Sequence, residues 1–294
     1  EIIMLSRQAW IGSHLINVAV WSGDIDSSWE ELLKQIKVAQ NVALSGIYWW
    51  TTDIGGYRPV GLDDNEFQEL ILRWFQFGAF CPLFRLHGYR HPPLPDNECG
   101  SSGGHNEIWL FNYSSQIIDI ILLRESLRDY VEYHLNISHE NGTPILRPMF
   151  YDFSDDSECY KAEDQYMFGS DYLVAPVYTY RATSRSVYLP AISKHNLVWQ
   201  HYYTKQFYAG GQRYNIPKTV DGTLISKIER GSVASQQGLQ VGDIIVQIGQ
   251  TKVTSPREAN RLIDTVKENK GSSVLFLINR QGNNIFVALK IDKV

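Results

Sequence analysis

Cysteine is scarce in these 294 residues. Only Cys81, Cys99 and Cys159 occur, too few for a complete disulfide set and without metal-ligand spacing. A basic excess is missing too: 27 Lys and Arg stand against 32 Asp and Glu, a net charge of -5. A nucleic-acid partner is therefore not expected. No apolar run reaches the length that spans a bilayer. The opening Glu1-Ile2-Ile3-Met4-Leu5 is apolar but lacks the basic start and cleavage site of a signal peptide. It reads as a strand entered part-way along, so the chain is expected to begin inside a domain. Internal repeats and low-complexity tracts are absent as well.

What is present fits a soluble globular protein with a sizeable core: 44% hydrophobic and 20% charged residues. The length suggests about two domains. Aromatic residues make up 13%, with 8 Trp and 17 Tyr. Sugar-binding proteins often show such a figure, but a bulky core gives it equally.

From residue 1 to about residue 135, short apolar strands alternate with amphipathic helices. The expected strands are Ile2-Ile3-Met4-Leu5, Val18-Ala19-Val20-Trp21, Ser45–Trp50 and Pro82-Leu83-Phe84. One helix follows Ser28, with Leu32, Ile36, Ala39 and Ala43 on one face. Another follows Asp64, with Phe67, Leu70, Ile71, Trp74 and Phe75 at helical spacing. Such alternation implies a parallel sheet. Each strand ends in polar residues, at Ser6-Arg7, Asp24, Asp53 and Arg85–His87, as a TIM barrel places its chemistry. About four strands are present where a closed barrel has eight, so residues 1–141 are expected to form an α/β TIM-barrel fragment, about half of a (β/α)8 barrel. Residues 142–216 change to strands and turns and are expected to form a β-sandwich. A third unit, 217–294, has β-runs and a helix opening at Ser255-Pro256, with Ala259, Leu262, Ile263 and Val266 on its apolar face.

Two carboxylates on successive strand ends, Asp24 and Asp53, are the first candidates for chemistry. Arg7, Arg85 and His87 lie on neighbouring ends, and Trp21 offers a flat apolar face. Glycoside hydrolysis needs two carboxyl groups across the scissile bond, about 5–5.5 Å apart when configuration is retained. The alternative is plain: Asp24 and Asp53 cap the loops or helices that follow them, and His87 is a core histidine. Spacing alone leaves both open.

The runs Leu5–Ser13, Trp21-Ser22-Gly23-Asp24, Ser45–Tyr57 and Phe84-Arg85-Leu86-His87-Gly88 resemble glycoside hydrolase family 31 in order and spacing. The likeness continues through Arg73–Phe80, Arg147-Pro148-Met149-Phe150 and Val187-Tyr188-Leu189-Pro190, and ends near Tyr208–Gln212. It implies a retaining α-glycosidase acting on terminal α-linked glucose or xylose of an oligosaccharide. Asp24 matches the family's acid/base, Arg7 and Trp21 its sugar contacts, and Asp53, Arg85 and His87 the groups lining the subsite of the non-reducing sugar. Tyr57 stands where the family often has phenylalanine. No cofactor and no metal are implied. The family's nucleophile is an aspartate in a Trp-x-Asp-Met-Asn-Glu-like stretch, and these 294 residues contain none. The chain by itself is therefore expected to be inactive.

The last unit resembles a PDZ domain of the bacterial HtrA/Deg serine proteases, through Gly222–Ala234, Gly238–Ile245 and Arg280-Gln281-Gly282. That resemblance implies a small α+β PDZ-like domain over 217–294 and a C-terminal peptide as partner, with the peptide-contacting residues unassigned. Two alternatives to the glycosidase follow: a peptide-binding module, or an artificial fusion with no function of its own. Asn112, Asn136 and Asn141 open glycosylation sequons. The parent families are often secreted, lysosomal or periplasmic, and the compartment stays open.

Overall fold

Ser28 and Asp64 start the two helices that hold the site's strands in place. In the computed structural model the Ser28 hydroxyl accepts from the Glu31 amide at 3.2 Å. The Asp64 carboxylate accepts from the Glu66 and Phe67 amides at 2.8 and 3.3 Å. Each cap satisfies a donor that the first helical turn leaves open. Helix α1 (Trp29–Leu44) and helix α2 (Asn65–Gly78) follow, and the apolar faces expected for both are buried. The structure describes residues 4–10, 12–13, 18–91, 106–192, 197–217, 224–229, 244–252, 262, 265, 273–280 and 283–290. Two compact units result: Glu1–Ala191 with Trp199–Lys227, and Ile192–Val198 with Ile228–Val294.

In the first unit β1 (Met4–Ser6), β2 (Val18–Trp21) and β3 (Trp50–Thr51) form a parallel sheet in that order. Ser6 lies opposite Val20, and Trp21 opposite Thr51. Parallel neighbours need a crossover connection, and α1 supplies one between β2 and β3. The strand expected at Pro82-Leu83-Phe84 does not form. What remains is a Leu83 amide donating to the Trp50 carbonyl at 3.2 Å and one isolated parallel bridge, Ile54 to Leu86. Pro82 has no amide proton for a ladder. Arg124 also clamps this turn, donating to the Ala79, Cys81 and Pro82 carbonyls at 2.7, 2.8 and 2.8 Å. Farther along, β4 (Val60–Gly61) pairs in parallel with β5 (Arg90–His91), tying together the segments that follow β3 and the bridge.

Helices α3 (Ser114–Ser126) and α4 (Arg128–Asn141) lead out of this region. Gly142 ends α4 in the left-handed conformation, φ 69°, its amide bonded to the Ser138 carbonyl at 3.1 Å. The chain then builds antiparallel pairs from β6 (Leu146–Pro148), β7 (Tyr166–Phe168) and β8 (Tyr172–Val174). Met149 and Phe150 do not continue β6 but begin the short helix α5 (Met149–Asp152). Pro148 is the cause, since its fixed φ suits the residue before a helical turn. Next come β9 (Ser184–Leu189), β10 (Leu197–His201), β11 (Phe207–Tyr208), β12 (Gln212–Pro217) and β13 (Leu224–Glu229). One sheet runs β11-β10-β13-β8-β7-β6, and β9 with β12 forms a separate two-stranded ribbon. Strand β13 lies past the expected border at 216/217, and its Leu224, Ile225 and Ser226 pair with Val174, Leu173 and Tyr172 of β8. The Tyr166 hydroxyl of β7 reaches the Phe80 carbonyl at 3.0 Å inside a continuous apolar core.

The second unit holds a four-stranded antiparallel sheet, β15-β14-β16-β17. Its strands are β14 (Ile244–Ile248), β15 (Thr251–Lys252), β16 (Ser273–Arg280) and β17 (Asn283–Lys290). Along β16, Val274, Phe276 and Ile278 are buried while Leu275 is exposed, the period-two pattern of a sheet with one covered face. Of the helix expected from Ser255-Pro256, Ala259, Ile263 and Val266 lie outside the described residues.

Replacing Arg124 by methionine removes three hydrogen bonds to carbonyls of the 79–82 turn, which have no other donor among the described residues. Arg124→Met should cost about 3 kcal/mol, roughly 1 kcal/mol for each lost bond, as a lower midpoint in urea unfolding. An unchanged midpoint would show that the clamp is not what holds the turn.

Candidate active site

Parallel pairing brings the carboxyl ends of β1, β2 and β3 to one side, so the residues that follow them become neighbours. After β1 comes Arg7, after β2 Ser22-Gly23-Asp24, and after β3 Thr52-Asp53. Arg7 Nη2 lies 3.2 Å from Asp24 Oδ2, and both side chains are substantially exposed. Ser22 and Thr52 join the two strand ends through their hydroxyls, 3.3 Å apart. The turn into Asp24 needs Gly23, whose φ of 78° strains any residue with a side chain.

Asp53 is fully buried. Arg85 Nη1 donates to its Oδ1, and His87 Nδ1 stands 3.7 Å from its Oδ2. That Oδ2 accepts no hydrogen bond among the described residues. The Arg85 guanidinium lies over the Trp21 ring, 5.8 Å from its centre. Tyr57 stacks with His87, with centres 5.4 Å apart and planes 22° from parallel. All six residues singled out in the sequence, Arg7, Trp21, Asp24, Asp53, Arg85 and His87, therefore stand at the same end of the parallel sheet.

The loop after Asp53 is built on two glycines. Gly56 closes a turn onto the Asp53 carbonyl at 2.9 Å, with φ 75°. A Cβ on Gly56 would sit 2.5 Å from the Asp26 carbonyl oxygen, so this backbone crossing admits glycine alone. Sequence reasoning passes over Arg90, Asn106 and Thr52, which brace these loops from behind. Asn106 donates to the Gly88 carbonyl at 2.6 Å. Arg90 and Asn106 fall in no run whose periodicity or composition points to a site, and Thr52 is overshadowed by the Asp53 beside it.

Desolvation shifts both Asp53, which is buried, and His87, whose side chain is half exposed. It pushes the Asp53 carboxyl up from its ordinary value, against the Arg85 hydrogen bond, the Arg85 charge and His87; the Asp24 charge adds to the rise. Burial pushes the His87 imidazole down, helped by the Arg85 and Arg90 charges and opposed chiefly by Asp53. An imidazole held below its ordinary value is neutral near pH 7 and offers one donor and one acceptor. The arrangement joins an accessible carboxylate to a buried one flanked by hydrogen-bonding groups and aromatic faces. That combination suits a polyol ring. Among the described residues no cluster suits a metal ion, and no helix is long and apolar enough to cross a membrane.

Residues 1–134 match the model of the glycosyl hydrolases family 31 TIM-barrel domain, and residues 142–234 that of the family 31 C-terminal domain. Residues 224–280 match a PDZ domain. An alpha-xylosidase of Saccharolobus solfataricus is 32% identical over 245 residues, covering 83% of this chain and 31% of the relative. Alpha-glucosidase 2 of Bacillus thermoamyloliquefaciens is 30% identical over 266 residues, covering 90% of this chain and 30% of the relative. A solved family 31 alpha-xylosidase from a soil metagenome, complexed with xylose, superposes with a TM-score of 0.73 at 38% identity. The match covers 81% of this chain and 36% of that one. The chain thus spans about a third of the length of the curated relatives it matches.

The His87 ring should titrate with a midpoint below 6.5, measurable from its NMR shifts across pH. Asp53→Asn removes the carboxylate that favours the imidazolium and should lower the midpoint further. A midpoint above 6.5 would mean that the Asp53 charge outweighs burial.

Proposed function

We propose, on the premise that residues 1–134 and 142–234 of this chain are glycoside hydrolase family 31 sequence, that the strand-end cluster binds a terminal α-linked glucose or xylose for hydrolysis with retention. The observation that carries the proposal is the juxtaposition of an accessible Asp24, paired to Arg7, with a buried Asp53 whose partners Arg85 and His87 reach the surface. Relatives named for xylose and for glucose align alike, so both sugars stay in the proposal.

Each residue has a role its geometry supports. Asp24, reachable from solvent, gives its proton to the glycosidic oxygen as the bond to the anomeric carbon breaks. It then takes a proton from the water that attacks the same carbon. Arg7 fixes the direction of the Asp24 carboxyl. Trp21 forms a flat wall held by Arg85. The free Oδ2 of Asp53 accepts from a sugar hydroxyl, while Arg85 and the neutral His87 ring contact its neighbours. A hydroxyl is a good fit for a buried acceptor with no protein partner, because an unmade bond there costs about 1–3 kcal/mol.

Retention also needs a carboxylate nucleophile on the opposite face of the sugar. The family's nucleophile stretch is not among these 294 residues, and Asp53 is engaged by Arg85 and His87. Acid–base help alone gives about 10²–10⁴ in rate, against enhancements of roughly 10⁶ or more for enzymes. The 294-residue chain by itself is therefore expected to show no measurable hydrolysis of aryl α-xylosides or α-glucosides. Azide, a small external nucleophile, should raise the rate of the chain and not of Asp24→Ala. Turnover without azide that Asp24→Ala abolishes would mean that a carboxylate of this chain, Asp53 first among them, is the nucleophile.

A second reading rests on the PDZ match over 224–280: the last segment captures the C-terminus of an extended peptide. Saturable binding of a hydrophobic C-terminal peptide, lost on deleting residues 217–294, would support it. Binding that survives the deletion would place the peptide elsewhere.

A further inference from the structure

Arg90 is a fully buried arginine that the glycosidase reading does not use. Among the described residues no carboxylate comes within ion-pair distance of it, and its Nε has no acceptor. Burial pushes its guanidinium down to about 10, with the more distant Asp53 charge pulling the other way. A buried cation without a paired anion is costly, so packing alone is a poor account of its presence.

Its contacts lie around the sugar-facing loops. One nitrogen, Nη2, donates to the Ile54 and Gly56 carbonyls at 3.1 and 2.9 Å, and Nη1 donates to the Tyr89 carbonyl at 3.2 Å. The guanidinium lies over the Phe67 ring of α2, 4.9 Å from its centre. Two glycines leave it room: a Cβ on Gly55 would approach Arg90 within 2.8 Å, and one on Gly88 within 2.4 Å. Gly55 follows Asp53 by two residues, and Gly88 follows His87 directly. Arg90 therefore sits where the two loops meet, behind the groups they present.

We propose that Arg90 is a positioning residue for the sugar subsite: its guanidinium braces the 54–56 backbone against the 87–89 loop and so sets where Asp53 and His87 stand. The proposal rests on the reading of Asp53 and His87 as sugar contacts. Arginine suits the task because its planar fork reaches several acceptors in fixed directions, whereas lysine brings one point charge on a flexible stem. The charge has a second effect, since Arg90 with Arg85 disfavours the His87 imidazolium while Asp53 and Asp24 favour it.

Two variants of the 294-residue chain separate geometry from charge. Arg90→Met removes both, and Arg90→Lys keeps the charge. The measurements are the NMR titration of the His87 ring and the affinity for whichever of xylose and glucose the parent chain binds. Arg90→Met should move the His87 midpoint up toward 6.5. It should also weaken binding of that sugar by about tenfold or more, equivalent to roughly 1.4 kcal/mol. Arg90→Lys should hold the midpoint near that of the parent yet still lose affinity, because an ammonium cannot reproduce the fork. An Arg90→Met chain with unchanged midpoint and affinity overturns the proposal. If Arg90→Met does not fold, Arg90→Lys decides, and parental affinity in that variant overturns it. Should the parent chain bind neither xylose nor glucose, the sugar-contact reading fails, and the His87 midpoint in the two variants still decides whether Arg90 acts on His87.

Discussion

The ion pair of buried Asp53 with half-buried Arg85 is the interaction on which the site depends. A carboxylate with no solvent exposure is tolerated only with a counter-charge and hydrogen bonds close by. Arg85 supplies both to Oδ1. That requirement fixes the 84–88 segment next to β3 where no full strand forms, through one bridge and one backbone bond. It also leaves Oδ2 facing the cluster without a protein donor. The same pair carries Trp21 along, since the guanidinium that reaches Asp53 covers the indole ring. Asp24 and Arg7, by contrast, stand in water, where an ion pair contributes little to stability. Their pairing therefore does little to hold the fold.

Much of this arrangement is legible in the sequence because its polar residues follow directly on the strands. Polar residues placed directly after apolar runs, Arg7, Asp24 and Asp53, land on one side once the strands are parallel, whatever the details of packing. Caps at Ser28 and Asp64 are equally local, and both helices form where they indicate. Local signals fail where long-range contacts decide. Pro82-Leu83-Phe84 has the composition of a strand, yet the clamp by Arg124, forty residues on, takes the carbonyls of that turn. Met149-Phe150 looks like a strand continuation and turns helical after Pro148. Arg90 gives no signal at all: one arginine between Tyr89 and His91 reads as surface until its burial is known.

The segment after residue 217 shows a different limit. Residues 224–234 match both the family 31 C-terminal domain and the PDZ domain, and an apolar alternating run does not say which sheet it will join. In the structure Leu224–Ser226 pair with β8 inside the six-stranded sheet, where β13 lies between β10 and β8. The β14–β17 sheet forms without that strand. Sharing of one sequence stretch between two domain patterns bears on the peptide-binding alternative, because capture of an extended chain by a sheet depends on which edges remain open.

The central claim is that Asp53, Arg85 and His87 form a sugar subsite on one end of the parallel sheet, and titration of the 294-residue chain with xylose and glucose tests it most directly. Saturable NMR shift changes should appear at Trp21, Tyr57 and His87 with at least one of these sugars, and Asp53→Asn should remove them while the rest of the spectrum stays folded. Saturable binding that Asp53→Asn leaves intact, or shift changes confined to residues away from these strand ends, would contradict the account.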